Sequence, residues 1–443
     1  MWTCIECGHK EHKWAGSCGL CRKWNTLIEE GGTQGARPVL LTEVEVANVK
    51  RINTGIREFD RLIGGGTVAG ALTLIGGEPG IGKSTLMLQL ANRFAIQGLT
   101  VLYISGEESA EQISLRAKRL NLQSNSLYVL AETELGAVKQ QVVALRPDVL
   151  IVDSVQILYN KDIASTPGSV TQVKEVAMQM MEISKTHRIT TFLVGHVTKG
   201  GELAGPKVLE HLVDTVFEFE GDRQSGYRII RSIKNRFGTT DDIAIFQMEK
   251  GGLVEVVNPS EAFLEQRMRG ATGSVVIPTL EGTRPLLVEV QALVSVTSFS
   301  TPSRRSTGFD PKRLNLLLAV LEKKMRFVLH DKDVFVSITG GLRLSEPAVD
   351  LGVIVAIASS EKNIVANPFA ACVGEVGLSG EVRAVPRIES RIKEAINLGF
   401  KKMILPSQNL KGISKELSQK IELEGVVHIG EAINKLLDIS KHT

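Results

Sequence analysis

The sequence predicts an α/β chain whose central part is a parallel sheet covered on both faces. Three observations carry this. From about residue 51, short apolar runs alternate with amphipathic helical stretches. A glycine-rich loop of phosphate-binding type joins one such run to a helix. Two Cys-x2-Cys pairs precede this part, and a segment of different texture follows Asn258-Pro259. The 443 residues allow two or three domains at roughly 150 residues each. The expected division is a cysteine module over 1–30, a Gly-rich linker over 31–50, a nucleotide domain over 51–270 and a second large domain over 271–443.

Composition narrows the class. An apolar fraction of 43% with 23% charged residues excludes global disorder and a fibrous repeat. Lys and Arg total 52 against 49 acids, so no global field draws in nucleic acid, and any such contact must come from local patches. No apolar run approaches the roughly 18 residues of a membrane span. The start, Met1-Trp2-Thr3-Cys4, lacks the pattern of a secretory signal. Four of the five cysteines fall in the first 21 residues. That distribution reads as a metal site in a reducing cytoplasm rather than a disulfide framework. The fifth, Cys372, lies in an apolar run and reads as a small core residue.

In the cysteine module, Cys4 and Cys7 form one pair and Cys18 and Cys21 the other. Each pair makes a tight knuckle, and two knuckles supply the four thiolates that structural zinc prefers. Gly8, Gly16 and Gly19 are expected where the knuckle turns need permissive backbone. His9 and His12 are the alternative ligands, or solvated loop residues. Acids and bases balance here, so the module is as suited to a protein contact or a regulatory lid as to DNA.

In the nucleotide domain, an apolar run at 71–75 leads into Gly77-Glu78-Pro79-Gly80-Ile81-Gly82-Lys83-Ser84, with a helix expected over 84–97. The glycines let backbone N–H groups turn inward onto phosphate oxygens, and the helix N-terminus adds its positive end. Lys83 is expected to reach the β- and γ-phosphates of ATP, and Ser84 to hold magnesium with Thr85 beside it. The strand expected at 149–152 ends in Asp153, the magnesium-side acid. The strand expected at 101–104 ends in Ser105-Gly106-Glu107-Glu108, where Glu107 is the candidate to orient water, with Glu108 as its surface neighbour or the reverse. The strand expected at 191–194 ends in Gly195-His196; His196 reads either as a sensor of the γ-phosphate or as a satisfied core histidine. The loop 197–207, with Lys199 and Lys207 among glycines, is suited to hold a DNA strand by its phosphates.

Residues 227–240 carry Arg228, Arg231, Lys234 and Arg236 and no acid. On a strand followed by a turn they form either a solvated basic edge or a finger, Lys234 or Arg236, reaching a neighbouring subunit's phosphates. Further on, 301–311 reads as a loop, 313–328 as a long helix, 334–338 as a strand and 350–359 as a buried helix. Residues 301–330 hold Arg304, Arg305, Lys312, Arg313, Lys323, Lys324 and Arg326, a basic stretch that contacts duplex phosphates or lies as solvated helix faces.

Lys234-Asn235-Arg236-Phe237-Gly238, together with Leu62-Ile63-Gly64-Gly65-Gly66 and the phosphate loop, is similar to the signature of the bacterial RadA (Sms) family of DNA repair proteins. The resemblance spans essentially the whole chain. It implies a zinc ribbon, a RecA-like ATPase core and an α+β Lon-protease-like C-terminal domain. It implies that Lys83 and Ser84 match the Walker A residues, Asp153 the Walker B acid and Glu107 the catalytic glutamate. His196 falls where RecA keeps a γ-phosphate-sensing glutamine. Lys234 and Arg236 are implied in ATP use or DNA engagement. The resemblance further implies a hexameric ring moving on single-stranded DNA and driving branch migration of recombination intermediates in partnership with RecA. Around 334–395 the Lon likeness sets Ala348 at the nucleophile position and Glu389 at the lysine position, leaving Ser345 and Lys393 as the only nearby substitutes; no peptidase activity is expected. An ATP-dependent protease, a signalling autokinase of the circadian-clock type and a non-enzymatic scaffold are the rival readings.

Overall fold

The computed structural model describes residues 2–29, 40, 51–196, 209–221, 226–240, 242–298 and 301–437. The chain forms two compact units, Met1–Val49 and Lys50–Thr443. In the first, strands Trp2–Cys4, Lys10–Glu11 and Leu27–Glu29 make a small antiparallel sheet with the first strand in the middle. The linker expected over 31–50 lies outside the described residues except for Leu40.

The second unit is built on a nine-stranded sheet. Its strands are β1 (Leu72–Gly77), β2 (Val101–Ser105), β3 (Leu127–Ala131), β4 (Val149–Asp153), β5 (Thr190–Val194), β6 (Thr215–Glu220), β7 (Tyr227–Asn235), β8 (Ile243–Glu249) and β9 (Gly252–Glu255). Their spatial order is β9-β8-β7-β6-β1-β5-β4-β2-β3. From β3 to β6 neighbours run parallel, and β7 to β9 extend the sheet antiparallel. The apolar runs are uninterrupted because both faces are covered. Val101, Tyr103, Val149 and Ile151 join one core with helix α2 (Lys83–Ile96). Leu102, Ile104, Leu150 and Val152 join the opposite one with helices α4 (Leu135–Leu145) and α5 (Val170–His187). Helix α1 (Arg57–Ile63) and helix α3 (Ala110–Arg119) complete the elements near the site. Ser109 and Gln112 form a reciprocal capping box that fixes the start of α3 just after the Glu107-Glu108 turn.

A seven-stranded mixed sheet follows, of β10 (Ser274–Glu281), β11 (Arg284–Val296), β12 (Arg304–Thr307), β13 (Lys332–Ile338), β14 (Ala370–Cys372), β15 (Lys402–Pro406) and β16 (Glu422–Val426), in the order β12-β13-β11-β10-β14-β15-β16. The segment expected as a loop at 301–311 thus contains a strand, held because β12 pairs in parallel with Val334–Ser337 of β13. Helix α6 (Pro311–Met325) starts at the Asp310 cap and stops short of Val328, because Arg326 takes a left-handed conformation with φ 56°. Helix α7 (Asp350–Lys362) is buried on every side through Ser359 against β10 and β11, as its unbroken apolar sequence requires. Ile229, Ile243 and Ile245 of the first sheet share one core with Ile277 and Val288 of the second. Arg231 meets Glu281 at 2.6 Å and Arg284 meets Glu58 at 2.5 Å across the same seam.

Candidate nucleotide and zinc sites

Zinc bound tetrahedrally at about 2.3 Å from each sulfur sets the sulfurs roughly 3.8 Å apart. Cys4 Sγ lies 3.6 Å from Cys21 Sγ and Cys7 Sγ 3.6 Å from Cys18 Sγ. All four sulfurs lie within 4.8 Å of one another, so the donor set fits zinc with no position left for water. His9 and His12 are not part of this group; His9 Nε2 lies 4.0 Å from Glu11. Thr26 Oγ1, 3.3 Å from Cys4 Sγ, braces a ligand from behind. The knuckles differ from expectation in one respect. Gly8, at φ 72°, supplies the left-handed turn after Cys7, but Arg22, at φ 59°, supplies it after Cys21. Gly19 and Gly16 serve close approach instead: a Cβ would stand 3.0 Å from Glu11 Oε1 and 3.1 Å from the Trp24 ring respectively.

The phosphate loop leaves β1 at Gly77 and enters α2 at Lys83, with Ser84 and Thr85 in the first helical turn. Two neighbours press on its backbone. A Cβ on Gly77 would lie 2.6 Å from Phe219 O, and one on Gly82 would lie 2.8 Å from Met248 Cε. Glu78, Pro79, Gly80 and Ile81 form the turn between them. Lys83 is almost fully buried. Its ammonium donates to Gly77 O at 2.8 Å and Glu78 O at 2.9 Å. It also stands 3.2 Å from His196 Nδ1. An ammonium only donates, so Nδ1 accepts and the imidazole hydrogen sits on Nε2. That Nε2 lies 3.5 Å from Glu107 Oε1. Ser154 Oγ donates to the same oxygen at 3.1 Å. Glu108 instead pairs with Arg116, and its N–H bonds Ser105 Oγ at 3.0 Å. Burial draws the Lys83 ammonium down to about 8, against the opposing pull of Asp153 and Glu107.

Asp153 closes β4. Its Oδ2 accepts from the Tyr103 hydroxyl at 2.5 Å. Burial and the Asp153 charge hold Tyr103 well above the usual phenol range, so it remains a donor. Lys83, Glu107, Asp153 and His196 therefore converge where the parallel strands end. The donor set, a phosphate loop at a helix N-terminus with a carboxylate beside it, fits ATP and magnesium. Ser84 and Asp153 would hold the magnesium, which would supply charge neutralisation at the phosphates.

Lys234 and Arg236 lie elsewhere. Lys234 Nζ caps Glu210 O and, at 2.8 Å, Val213 O of its own chain. Arg236 meets Asp214 at 3.3 Å, and Asp214 also receives Lys185 and the Leu72 N–H. Lys234 pairs with Val216, itself paired with Leu74, in the half of β1 remote from the phosphate loop. The motif's turn docks on the other signature: Asn235 Nδ2 donates to Leu62 O at 3.3 Å, Arg51 donates to Phe237 O at 2.6 Å, and a Cβ on Gly64 would stand 2.7 Å from Phe237 O. Arg231 is taken by Glu220 and Glu281, so the basic run is not a solvated edge. Arg228 is buried, and its Nε donates to Ile81 O at 3.0 Å, anchoring the phosphate loop from β7. The basic spacing noted in the sequence contained this residue, but only inward alternation along β7 assigns it to the loop. Tyr103, Ser154 and Gln156, whose Nε2 donates to His196 O at 3.3 Å, carried no sequence signal. The loop 197–207, expected to hold DNA, lies outside the described residues.

In the second sheet's region, Ala348 is buried, Glu389 accepts the Ser414 N–H at 2.9 Å, and Ser345 and Lys393 are exposed. The fully buried Arg391 pairs with Glu346, which also takes Leu280 N–H at 3.0 Å. Arg313 leaves the basic stretch of 301–330, since it pairs with the buried Asp350 and Val376 O.

A phosphate loop, its magnesium-side carboxylate and a four-thiolate knuckle pair define a zinc-bearing P-loop ATPase with ATP, magnesium and zinc as cofactors. The family model described as an AAA domain matches residues 37–202, that of a rubredoxin metal binding domain residues 2–29, and that of subunit ChlI of Mg-chelatase residues 315–409. The chain belongs to the RadA family of DNA repair proteins. It is 50% identical to DNA repair protein RadA of Chlamydia pneumoniae over 99% of this chain and 98% of that one. It is 49% identical to that of Chlamydia muridarum and 47% identical to that of Bacillus subtilis, each over 98% of both chains. Among solved structures, a KaiC-like protein of Pyrococcus horikoshii is similar at 20% identity and a TM-score of 0.40, over 47% of this chain and 99% of that one. Among the described residues no helix is long and apolar enough to cross a membrane.

Proposed function

We propose that this ATPase is a DNA-dependent motor: a ring, hexameric by family likeness, that moves on single-stranded DNA and extends branches of recombination intermediates together with RecA. The observation that carries the reading is the convergence of Lys83, His196, Glu107 and Asp153 at one end of the parallel strands. Lys83 exchanges its two loop carbonyls for phosphate oxygens. Its departure frees His196 Nδ1, which leaves the histidine able to respond to the γ-phosphate and to reposition the loop it leads into. Glu107 orients the attacking water and receives its proton, held in place by Ser154. Asp153 and Ser84 keep the metal against the phosphates. Lys234 and Arg236 act on a neighbouring subunit, which the distance from their own phosphate loop favours. The exposed Arg304, Arg305, Lys312, Lys323, Lys324 and Arg326 supply duplex phosphate contacts. The division into 1–30, 31–50, 51–270 and 271–443 is part of this reading, with the last domain building the ring and cleaving no peptides.

The test is ATP-driven extension of a preformed three-stranded DNA joint at moderate salt, wild type against Lys83→Ala, with and without RecA. Extension by wild type alone establishes the motor. ATP turnover by an assembled ring without extension, even with RecA added, refutes it.

A further inference from the structure

The Tyr103 side chain is 1% exposed, yet it carries a hydroxyl. A buried hydroxyl is costly unless it is bonded, and this one has a single acceptor, Asp153 Oδ2 at 2.5 Å. The sheet explains why a tyrosine is needed. In the parallel pair of β2 and β4, Tyr103 stands opposite Ile151 and Ser105 opposite Asp153. Residues two apart project to one face, so Tyr103 and Asp153 share the face covered by α2, on a diagonal. Two residues along at about 3.3 Å each and one strand across at about 4.8 Å separate their backbones by about 8 Å. Serine or threonine is too short for that diagonal. Phenylalanine spans it but has nothing to donate. Among the described residues Asp153 Oδ1 has no hydrogen-bond partner, so the bond to Tyr103 fixes one carboxylate oxygen and leaves the other unbonded.

We propose that Tyr103 is a positioning residue for magnesium at the nucleotide site: by holding Asp153 Oδ2 it presents Oδ1 to the metal side. The inference rests on reading Asp153 as the magnesium-side acid. Outer-shell partners of metal-site carboxylates are worth about 10- to 100-fold in metal affinity or activity. Here the donor is neutral and the change leaves the ring packing in place, which sets the expectation at the low end.

The experiment is a binding titration on the full chain, assembly state checked. Fluorescent ADP is held at a fixed concentration and the magnesium needed for half-maximal metal-dependent binding is read for wild type, Tyr103→Phe, Asp153→Asn and the double variant. Tyr103→Phe should need about 10-fold more magnesium, with metal-free ADP affinity unchanged. The tyrosine effect should vanish in the Asp153→Asn background, because the two act through one bond. A magnesium midpoint within about twofold of wild type overturns the proposal, as does a weakening of metal-free ADP binding by the same factor, which marks general packing damage. If Asp153→Asn leaves the magnesium dependence intact, the metal-side reading of Asp153 fails first. If Asp153→Asn abolishes it and Tyr103→Phe does nothing, the role of Tyr103 alone falls. Should Tyr103→Phe not fold, magnesium titration of wild type followed by tyrosine absorbance replaces it. Only four tyrosines are present, and a change tracking the metal midpoint is expected; none overturns the proposal.

Discussion

Raising the pH should weaken nucleotide binding well before an ordinary lysine titrates. Lys83 is buried, and burial draws its ammonium down to about 8 in the free protein. A base whose ionisation is lowered keeps its charge below that value and loses it above. Bound phosphates favour the charged form, so affinity is fully present on the acid side of about 8 and declines on the alkaline side. From about pH 7.5 to about pH 9 the charged fraction falls from roughly three quarters to roughly one tenth, which is about an eightfold loss of affinity. A lysine at its ordinary value stays almost wholly charged over that range and predicts no change. The assay is equilibrium titration with fluorescent ADP at constant magnesium and ionic strength. Lys83→Arg keeps a charge at every pH tested, so its curve should be flat whatever its absolute affinity. A flat wild-type curve, or an equal slope in Lys83→Arg, refutes the assignment of the pH dependence to this ammonium.

Two further outcomes follow from the packing. Cys18→Ser should remove one zinc ion per chain, read by atomic absorption, and unfold residues 2–29 as followed by tryptophan fluorescence, since Trp2, Trp14 and Trp24 all lie in that unit; retention of zinc would contradict the four-sulfur site. Arg391→Met should cost about 3–5 kcal/mol in urea unfolding, because it strands Glu346 beside a fully buried position, and Glu346→Gln added to it should recover part of that loss.

What the sequence makes legible is what lies close along the chain. The phosphate loop, the strand ends at Glu107, Asp153 and His196, and the paired cysteines each occupy a few consecutive residues, so spacing alone locates them. Contacts that depend on lateral register stay hidden. Tyr103 reaches Asp153 diagonally between two strands that two helices and another strand separate along the chain, and nothing in Val101-Leu102-Tyr103-Ile104 distinguishes it from a core aromatic. Arg313 reads as one of seven basic residues until Asp350, 37 positions on, is brought beneath it. The second knuckle shows a subtler limit. Glycine spacing points to Gly19 for the left-handed turn, but the turn falls on Arg22, because the backbone bond from Arg22 N–H to Cys18 O fixes the conformation there regardless of residue type.

Strand β7 ties the phosphate loop and the Lys-Asn-Arg-Phe-Gly turn into one element. At one end Arg228 holds the phosphate loop by Ile81 O; at the other, Lys234 and Arg236 hold the turn before β6 by Glu210 O, Val213 O and Asp214. The register sets Lys234 level with Leu74, three residues short of Gly77, or about 10 Å along the strand. Lysine cannot cover that span while its ammonium caps two carbonyls on the far side, so Lys234 does not reach the phosphate loop of its own chain. A pull on either end is transmitted through a strand that is hydrogen-bonded on both sides and buried at Ile229 and Ile230. Interiors packed this closely transmit displacement rather than absorb it. The phosphate loop and the Lys-Asn-Arg-Phe-Gly turn are therefore joined within one subunit by the contacts of a single strand.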